Sequence, residues 1–245
     1  MSRTRTLDTP GNVNGTAPEF LVRPEMLDVV SPPGDRGGMV IGKGARGESV
    51  TASILRPDPT RVVTVGGLYL ARQIALRAIA TGAWVTIATG RPAAWKTVEH
   101  AAGKLADGSQ VPLVQLRKLQ PYDLPRPTED APLLMIHDGG AVPQELFPPR
   151  APWQTTMYVL PYLHPQAGSG TATNTADLVL LQRLPLQQAQ LAARFWYFDP
   201  STRVQQLTQL PDDGVIALGN NMWAPITLVT NPKEQDILGP IRRGD

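Results

Sequence analysis

The 245-residue chain predicts an α/β fold, a Rossmann-like three-layer domain built on a mostly parallel sheet. Three observations carry the prediction. Residues 61–95, RVVTVGGLYLARQIALRAIATGAWVTIATGRPAAW, read as strand, helix, strand and the start of another helix. Short apolar runs of the kind buried on both faces recur at 133–136 (LLMI) and 177–184 (DLVLLQRL). Sequence repeats, coiled-coil heptads and long like-charge blocks are absent, which leaves strands alternating with helices as the pattern to be explained.

In chain order, residues 1–37 hold Pro, Gly, Asn and Thr without periodicity and are expected to form a flexible tail. Residues 39–41 and 49–55 read as strands around the turn GKGARGE, an N-terminal β-hairpin ahead of the core. Arg56-Pro57-Asp58-Pro59 stops that pairing, because Pro supplies no donor. Val62, Val63 and Val65 make a β-branched strand that ends at Gly66-Gly67. Over 68–80, Leu68, Ala71, Ala75, Ala78 and Ile79 recur at helical spacing, with Arg72, Gln73 and Arg77 on a polar side. Thr81-Gly82 ends the helix, and Trp84, Val85, Ile87 and Ala88 rebuild a strand. Two strands joined by a helix of about 20 Å are expected to be parallel neighbours.

Thr89-Gly90-Arg91-Pro92 then turns into a helix expected over 93–105, with Trp95 and Val98 inward. Strands are expected at 110–116 and, past a Pro-rich and charged loop at 118–132, at 133–136. Next come a strand at 154–160, a flexible exposed loop QAGSGTATN at 166–174, and the strand at 177–184. Pro185 opens a helix that ends in Phe195-Trp196-Tyr197-Phe198, and Ser201 or Thr202 caps a shorter one. Strands at 215–218 and 224–229, paired around the GNNMW turn, complete six or seven core strands in one α/β domain over 38–245.

Composition narrows the function. With 42% hydrophobic and 18% charged residues the chain can bury a substantial core. A net charge of +2 is too small to point to nucleic acid. The absence of Cys excludes disulfides, thiolate metal sites and a cysteine nucleophile. No run reaches the ~18 apolar residues of a membrane span, and the polar start lacks a signal peptide's apolar segment, so a cytoplasmic location is expected.

The candidate chemistry gathers at strand ends. Gly66 and Gly67 sit where a dinucleotide fold places its phosphate loop, but the GxGxxG spacing is missing. The second strand ends without an acid for a ribose, and Arg91 could meet a phosphate there. Asp138, with His137, ends a core strand, where ligands of open α/β sheets collect; the same Asp-Gly-Gly is equally explained as a turn. Gly66, Gly67, Arg91 and Asp138 are therefore the candidates for a nucleotide. GGMVIGK at 37–43 opens like a phosphate loop, but Gly44 replaces the Ser or Thr that would bind magnesium. Asp212-Asp213-Gly214 reads as a tight turn, and the histidines His100 and His164 complete no ligand set, so neither metal nor cofactor is expected. Phe195, Trp196, Tyr197 and Phe198 are dense enough to dock a partner or to pack a core.

The stretch VTVGGLYLARQIALRAIATGAWVTIATGRPAAW, with its turn Arg91-Pro92-Ala93-Ala94-Trp95, resembles the region of EccE-type proteins of the actinobacterial type VII (ESX) secretion system in which a helix of small residues precedes a strand and an R-P-x-x-W turn. ADLVLLQRLPLQQAQLAARFWYF and the later LPDDGVIAL are similar to that family's C-terminal strand, helix and terminal strand, and the resemblance spans most of residues 50 to 240. It implies a divergent Rossmann-like domain with no established catalysis, and the other core subunits of the secretion channel as partners. EccE-type proteins usually begin with two membrane-spanning helices and this chain does not. The expectation is thus a relative without a span that docks on other subunits at the inner face of the membrane, a non-enzymatic scaffold in protein transport. The alternative is an enzyme or sensor that binds a nucleotide or nucleotide-sugar near Gly66, Arg91 and Asp138.

Overall fold

The computed structural model describes residues 38–103, 113–119, 126–143, 150–219 and 222–241, all within the unit Gly34–Asp245. The expected tail at 1–37 lies outside the described residues. The chain enters through the hairpin β1 (Met39–Lys43) and β2 (Ser49–Ala52), then runs β3 (Thr60–Val65), α1 (Leu68–Ala80) and β4 (Trp84–Thr89). A 3-10 turn at Pro92–Trp95 leads into α2 (Lys96–Ala101), followed by β5 (Val114–Arg117), β6 (Leu133–Asp138) and β7 (Gln154–Leu160). A single helical turn, α3 (Thr171–Asn174), precedes β8 (Leu178–Leu181), α4 (Leu186–Phe195) and α5 (Pro200–Thr208). The chain then forms β9 (Gly214–Gly219), β10 (Met222–Leu228) and α6 (Pro232–Leu238).

All ten described strands belong to one sheet, in the order β2-β1-β10-β9-β8-β3-β7-β6-β4-β5. From β8 to β5 every pairing is parallel, while β9, β10, β1 and β2 extend the sheet antiparallel. The hairpin is therefore the end of the main sheet and no separate ornament: Gly42 and Lys43 pair with Leu228 and Thr227 of β10. One expectation needs correction. β3 and β4 are parallel, but β7 and β6 stand between them, because both flanks of β3 are taken by later strands: Val63 pairs with Tyr158 on one side and Val179 on the other.

Alternation along the strands sends apolar side chains to two cores. Val62, Met157, Val159, Leu180 and Val215 join α1, Trp95 and Val98 on one face; Val63, Leu160, Leu181 and Ile216 join α4 and α5 on the other. This is the three-layer arrangement that the apolar runs predict. Within α1, Leu68, Ala71, Ala75 and Ala78 are buried as expected, and Ile79 is half-buried. Gln73 departs from the expected polar side: it is 1% exposed and donates through Nε2 to the Val229 carbonyl at 2.8 Å. Helix α6, in a stretch given no expected element, covers it. Asn231 caps α6 in a reciprocal box with Glu234.

Three further elements differ locally. The expected helix at 93–105 splits into the 3-10 turn and α2, and residues 104–112 fall outside the described ones. Segment 166–174 is ordered rather than an exposed loop, since the buried Thr173 hydroxyl donates to the Ala167 and Gly170 carbonyls and closes α3. The cap of α5 is Asp199, whose carboxylate accepts from the Ser201 amide at 3.0 Å.

Candidate functional site

The parallel block brings the carboxyl ends of β8, β3, β7, β6 and β4 to one edge of the sheet, and the four candidate residues lie along that edge in two separate places. Arg91 and Asp138 form one of them, at the ends of β4 and β6. Asp138 is 3% exposed, and its carboxylate is fully engaged. Arg91 donates to it from Nε at 2.9 and 3.1 Å and from Nη2 at 2.8 Å. Trp95 Nε1 donates at 2.8 Å and the Thr89 hydroxyl at 2.9 Å. The Arg91 amide in turn donates to the Thr89 hydroxyl at 3.0 Å. The R-P-x-x-W turn thus has a physical reason: Pro92 starts the 3-10 turn, which returns Trp95, 0% exposed, to the same carboxylate that Arg91 grips in fork geometry. Leu119 closes over this end, near enough that a Cβ on Gly139 would come within 3.2 Å of it.

Gly66 and Gly67 form the second place, between β3 and α1. The turn is two residues long, with Gly66 at φ +132° and Gly67 as the N-cap of α1. No side chain caps that helix, and its first turn carries no acid. A Cβ on Gly66 would strike the side chain of Gln182, which explains the glycine without a ligand. Beside it opens a cleft of about 580 Å³, with Gln182, Arg183, Gln188 and Asp212 among its polar lining and Tyr162 and Pro185 among its apolar walls. Neither Arg91 nor Asp138 lines it. Arg183 is paired with Asp212 at 2.6 Å, so the guanidinium is already neutralised.

His137 lies one residue before Asp138 and faces the other side of the sheet, stacked on Tyr158 with ring centroids 5.1 Å apart. Neither ring nitrogen has a hydrogen-bond partner among the described residues. Burial pushes its pKa down from 6.5 to about 4. A group depressed in this way contributes stability that is present above pH 6.5 and lost as pH falls toward 4, because the unfolded chain takes up the proton first. The gap corresponds to about 3 kcal/mol. Urea melts from pH 7 to 4.5 are expected to show this loss in the wild type and a flattened profile in His137→Leu; parallel profiles would place the acid sensitivity elsewhere.

The remaining sequence candidates are quickly located. Lys43 ends β1, paired with Ser49 and Thr227, so the described part of GGMVIGK, residues 38–43, is a strand and its approach. Asp212 and Asp213 lie in the turn closed by the Gly214 amide on the Pro211 carbonyl at 3.0 Å. Among the described residues no group of three His, Cys, Asp or Glu could hold a metal ion. Of the four aromatic residues, Phe195 and Trp196 are half-buried and Phe198 is 7% exposed, edge-on to Trp223 at 4.9 Å. Only Tyr197 of the four stands in solvent, 93% exposed with φ 51°.

Sequence reasoning missed Gln182 and Gln188. Both sit in segments read as a strand and a helix, and a single Gln in either carries no periodic signal.

In sequence the chain matches no protein-family model and no curated relative. In structure it is similar to the pCW3 conjugation coupling protein TcpA, in its monomer form with ATPγS. The TM-score is 0.52 at 9% identity, over 82% of this chain and 70% of that one. That likeness shows the fold alone, a mostly parallel sheet with helices on both faces. The cytoplasmic domain of the Thermomonospora curvata type VII secretion ATPase EccC also aligns, with a TM-score of 0.45 at 10% identity, over 87% of this chain and 33% of that one. Among the described residues no helix is long and apolar enough to cross a membrane.

Proposed function

We propose that this chain is a non-enzymatic interaction domain of protein secretion, a structural component associated with a type VII system that docks on other secretion subunits. The observation that carries the reading is the state of the strand ends. In P-loop NTPases a GxxxxGK[ST] loop between strand and helix cradles the phosphates, its Lys reaches them, and an Asp helps to hold magnesium. Here the loop after β3 is Gly66-Gly67, no Lys occurs between residues 44 and 95, and Asp138 is consumed by Arg91, Trp95 and Thr89. The secretion context rests on the EccE-like packing motifs and on a fold shared with a conjugation coupling protein. Co-purification of the full chain with secretion subunits from its native cell is the direct test, and failure to associate with any of them would count decisively against the reading.

The alternative, a nucleotide- or nucleotide-sugar-binding enzyme or sensor, draws on the cleft beside Gly66 and Gly67. Arg183 is spent on Asp212 there, and the Asp212 carboxylate faces the same space, so a polyphosphate would meet a negative charge and, among the described residues, no free cation. Calorimetry with ATP, NADPH and UDP-sugars is expected to give neither heat nor a thermal shift. A saturable signal with any of them would revive the enzyme reading.

A further inference from the structure

We infer that the cleft at the carboxyl ends of β3, β7 and β8 is a binding site for the main chain of an extended, uncharged peptide segment, read by Gln182. Gln182 directly follows β8, where its backbone amide donates to the Val65 carbonyl at 3.0 Å and fixes the backbone. Gln182 is only 8% exposed, its side chain lies against Gly66 at the foot of α1, and it lines the cleft with no side-chain hydrogen-bond partner among the described residues. An amide that faces the cleft without a protein partner is left to water, which a ligand can replace. Beside it, the first-turn amides of α1 have no side-chain cap. The buried Arg183 Nε also has no acceptor.

The chemistry of the ligand follows from these groups. Gln182 offers one donor and one acceptor side by side, which matches the N–H and C=O of a single residue in an extended chain. The cleft already contains an example: Gln188 accepts from the Leu163 amide at 2.5 Å and donates to the Leu163 carbonyl at 3.0 Å. Ionic neutrality of the Arg183–Asp212 pair disfavours a charged ligand. Apolar shoulders flank the polar floor: Tyr162 is 52% exposed, and Leu186, next to the lining residue Pro185, is 57% exposed. Alternate side chains of an extended segment would rest on those shoulders while its main chain meets the amide floor. The volume of about 580 Å³ is within the usual range of ligand pockets, roughly 300–1,000 Å³.

This site rests on the reading of the chain as a docking domain and names where docking occurs. The full chain would be panned against a displayed library of random twelve-residue peptides, and the enriched peptides titrated by amide NMR. Neutral peptides are expected to be enriched, and to move the Gln182 side-chain signal together with the Gly66 and Gly67 amides. Gln182→Leu, or Gln182→Met if the first does not fold, is expected to weaken them by about tenfold or more. N-methylation of the contacted peptide bond should do the same, which a merely structural role for Gln182 would not explain. Peptides that bind both variants as well as wild type, or that move residues elsewhere, would overturn the site. N-methylacetamide is run in parallel: if it saturates the same signals while no peptide is enriched, the ligand is a small neutral amide and the peptide assignment is wrong. The two readings fail separately. Co-purification with secretion subunits that persists in Gln182→Leu removes the cleft alone, whereas peptide binding without any co-purifying subunit removes the secretion context alone.

Discussion

Asp138→Ala is expected to destabilise the protein by about 3–5 kcal/mol, the largest single effect at the strand-end edge. The substitution removes the acceptor for Trp95 Nε1 and the Thr89 hydroxyl, both in buried residues, and leaves their donors without partners. Arg91 suffers less, because its side chain is 38% exposed and can turn to water. In a chain of this size the loss corresponds to a fall in melting temperature of roughly 10 °C. Asp138→Asn keeps one acceptor oxygen and should lose about half as much. Thermal and urea unfolding of both variants checks the ordering. A catalytic or metal-holding Asp138 would behave oppositely, with the melting temperature unchanged and ligand binding abolished, and that outcome would reopen the enzyme reading.

Arg77→Met is expected to cost a similar amount, about 3–5 kcal/mol, for a different reason. Arg77 leaves the last turn of α1 and pairs with Glu234 of α6 at 2.5 and 2.7 Å, with the two side chains 16% and 7% exposed. The same guanidinium donates to the Val40, Ile41 and Val229 carbonyls. Burial pushes the Glu234 carboxyl upward, but hydrogen bonds from Arg77, Gln73 and the Asn231 amide, with the Arg77 charge, outweigh it and hold the group below its ordinary 4.5. Removing Arg77 alone strands that carboxylate in a place that selects for charge. Replacing both, as Arg77→Met with Glu234→Met, should recover much of the loss, since an apolar pair of similar volume carries no desolvation cost. A double-mutant cycle by urea melts measures the coupling; additive losses would mean that the two residues act independently. A depressed carboxyl also loses its contribution as pH falls through its folded value, so this network weakens below pH 4.5 and His137 accounts for the range above.

How far the sequence reached follows the range of each interaction. Strand β7 occupies 154–160 as expected, and β6 begins where expected, because a run of β-branched and apolar residues buried on both faces is a local signal. Strand order was out of reach. That β7 and β6 part β3 from β4 depends on which distant strands pair, and neither Val63 nor Trp84 carries a mark of its neighbour. The same limit governed the side chains. The sequence points to both Arg91 and Asp138, yet as groups that would meet a nucleotide, when the nearest partner of each is the other. Trp95 was expected to be inward, and its indole N–H needed an acceptor once buried, which was a usable clue to Asp138. Helical spacing puts Arg77 and Gln73 on the polar side of α1, since nothing near them in sequence foretells a capped helix whose Glu234 arrives 157 residues after Arg77.

The flanking of β3 by late strands also governs how the molecule comes off the ribosome. Val62, Val63 and Val65 emerge early, but their two partners, β7 and β8, are translated roughly a hundred residues afterwards, several seconds at ordinary elongation rates. Until then this β-branched ribbon, buried in the finished sheet, has two open edges, a template for any other extended chain nearby. Nascent-chain chaperones that shield such ribbons, and a slow growth temperature during expression, should therefore decide how much of this protein is recovered in soluble form.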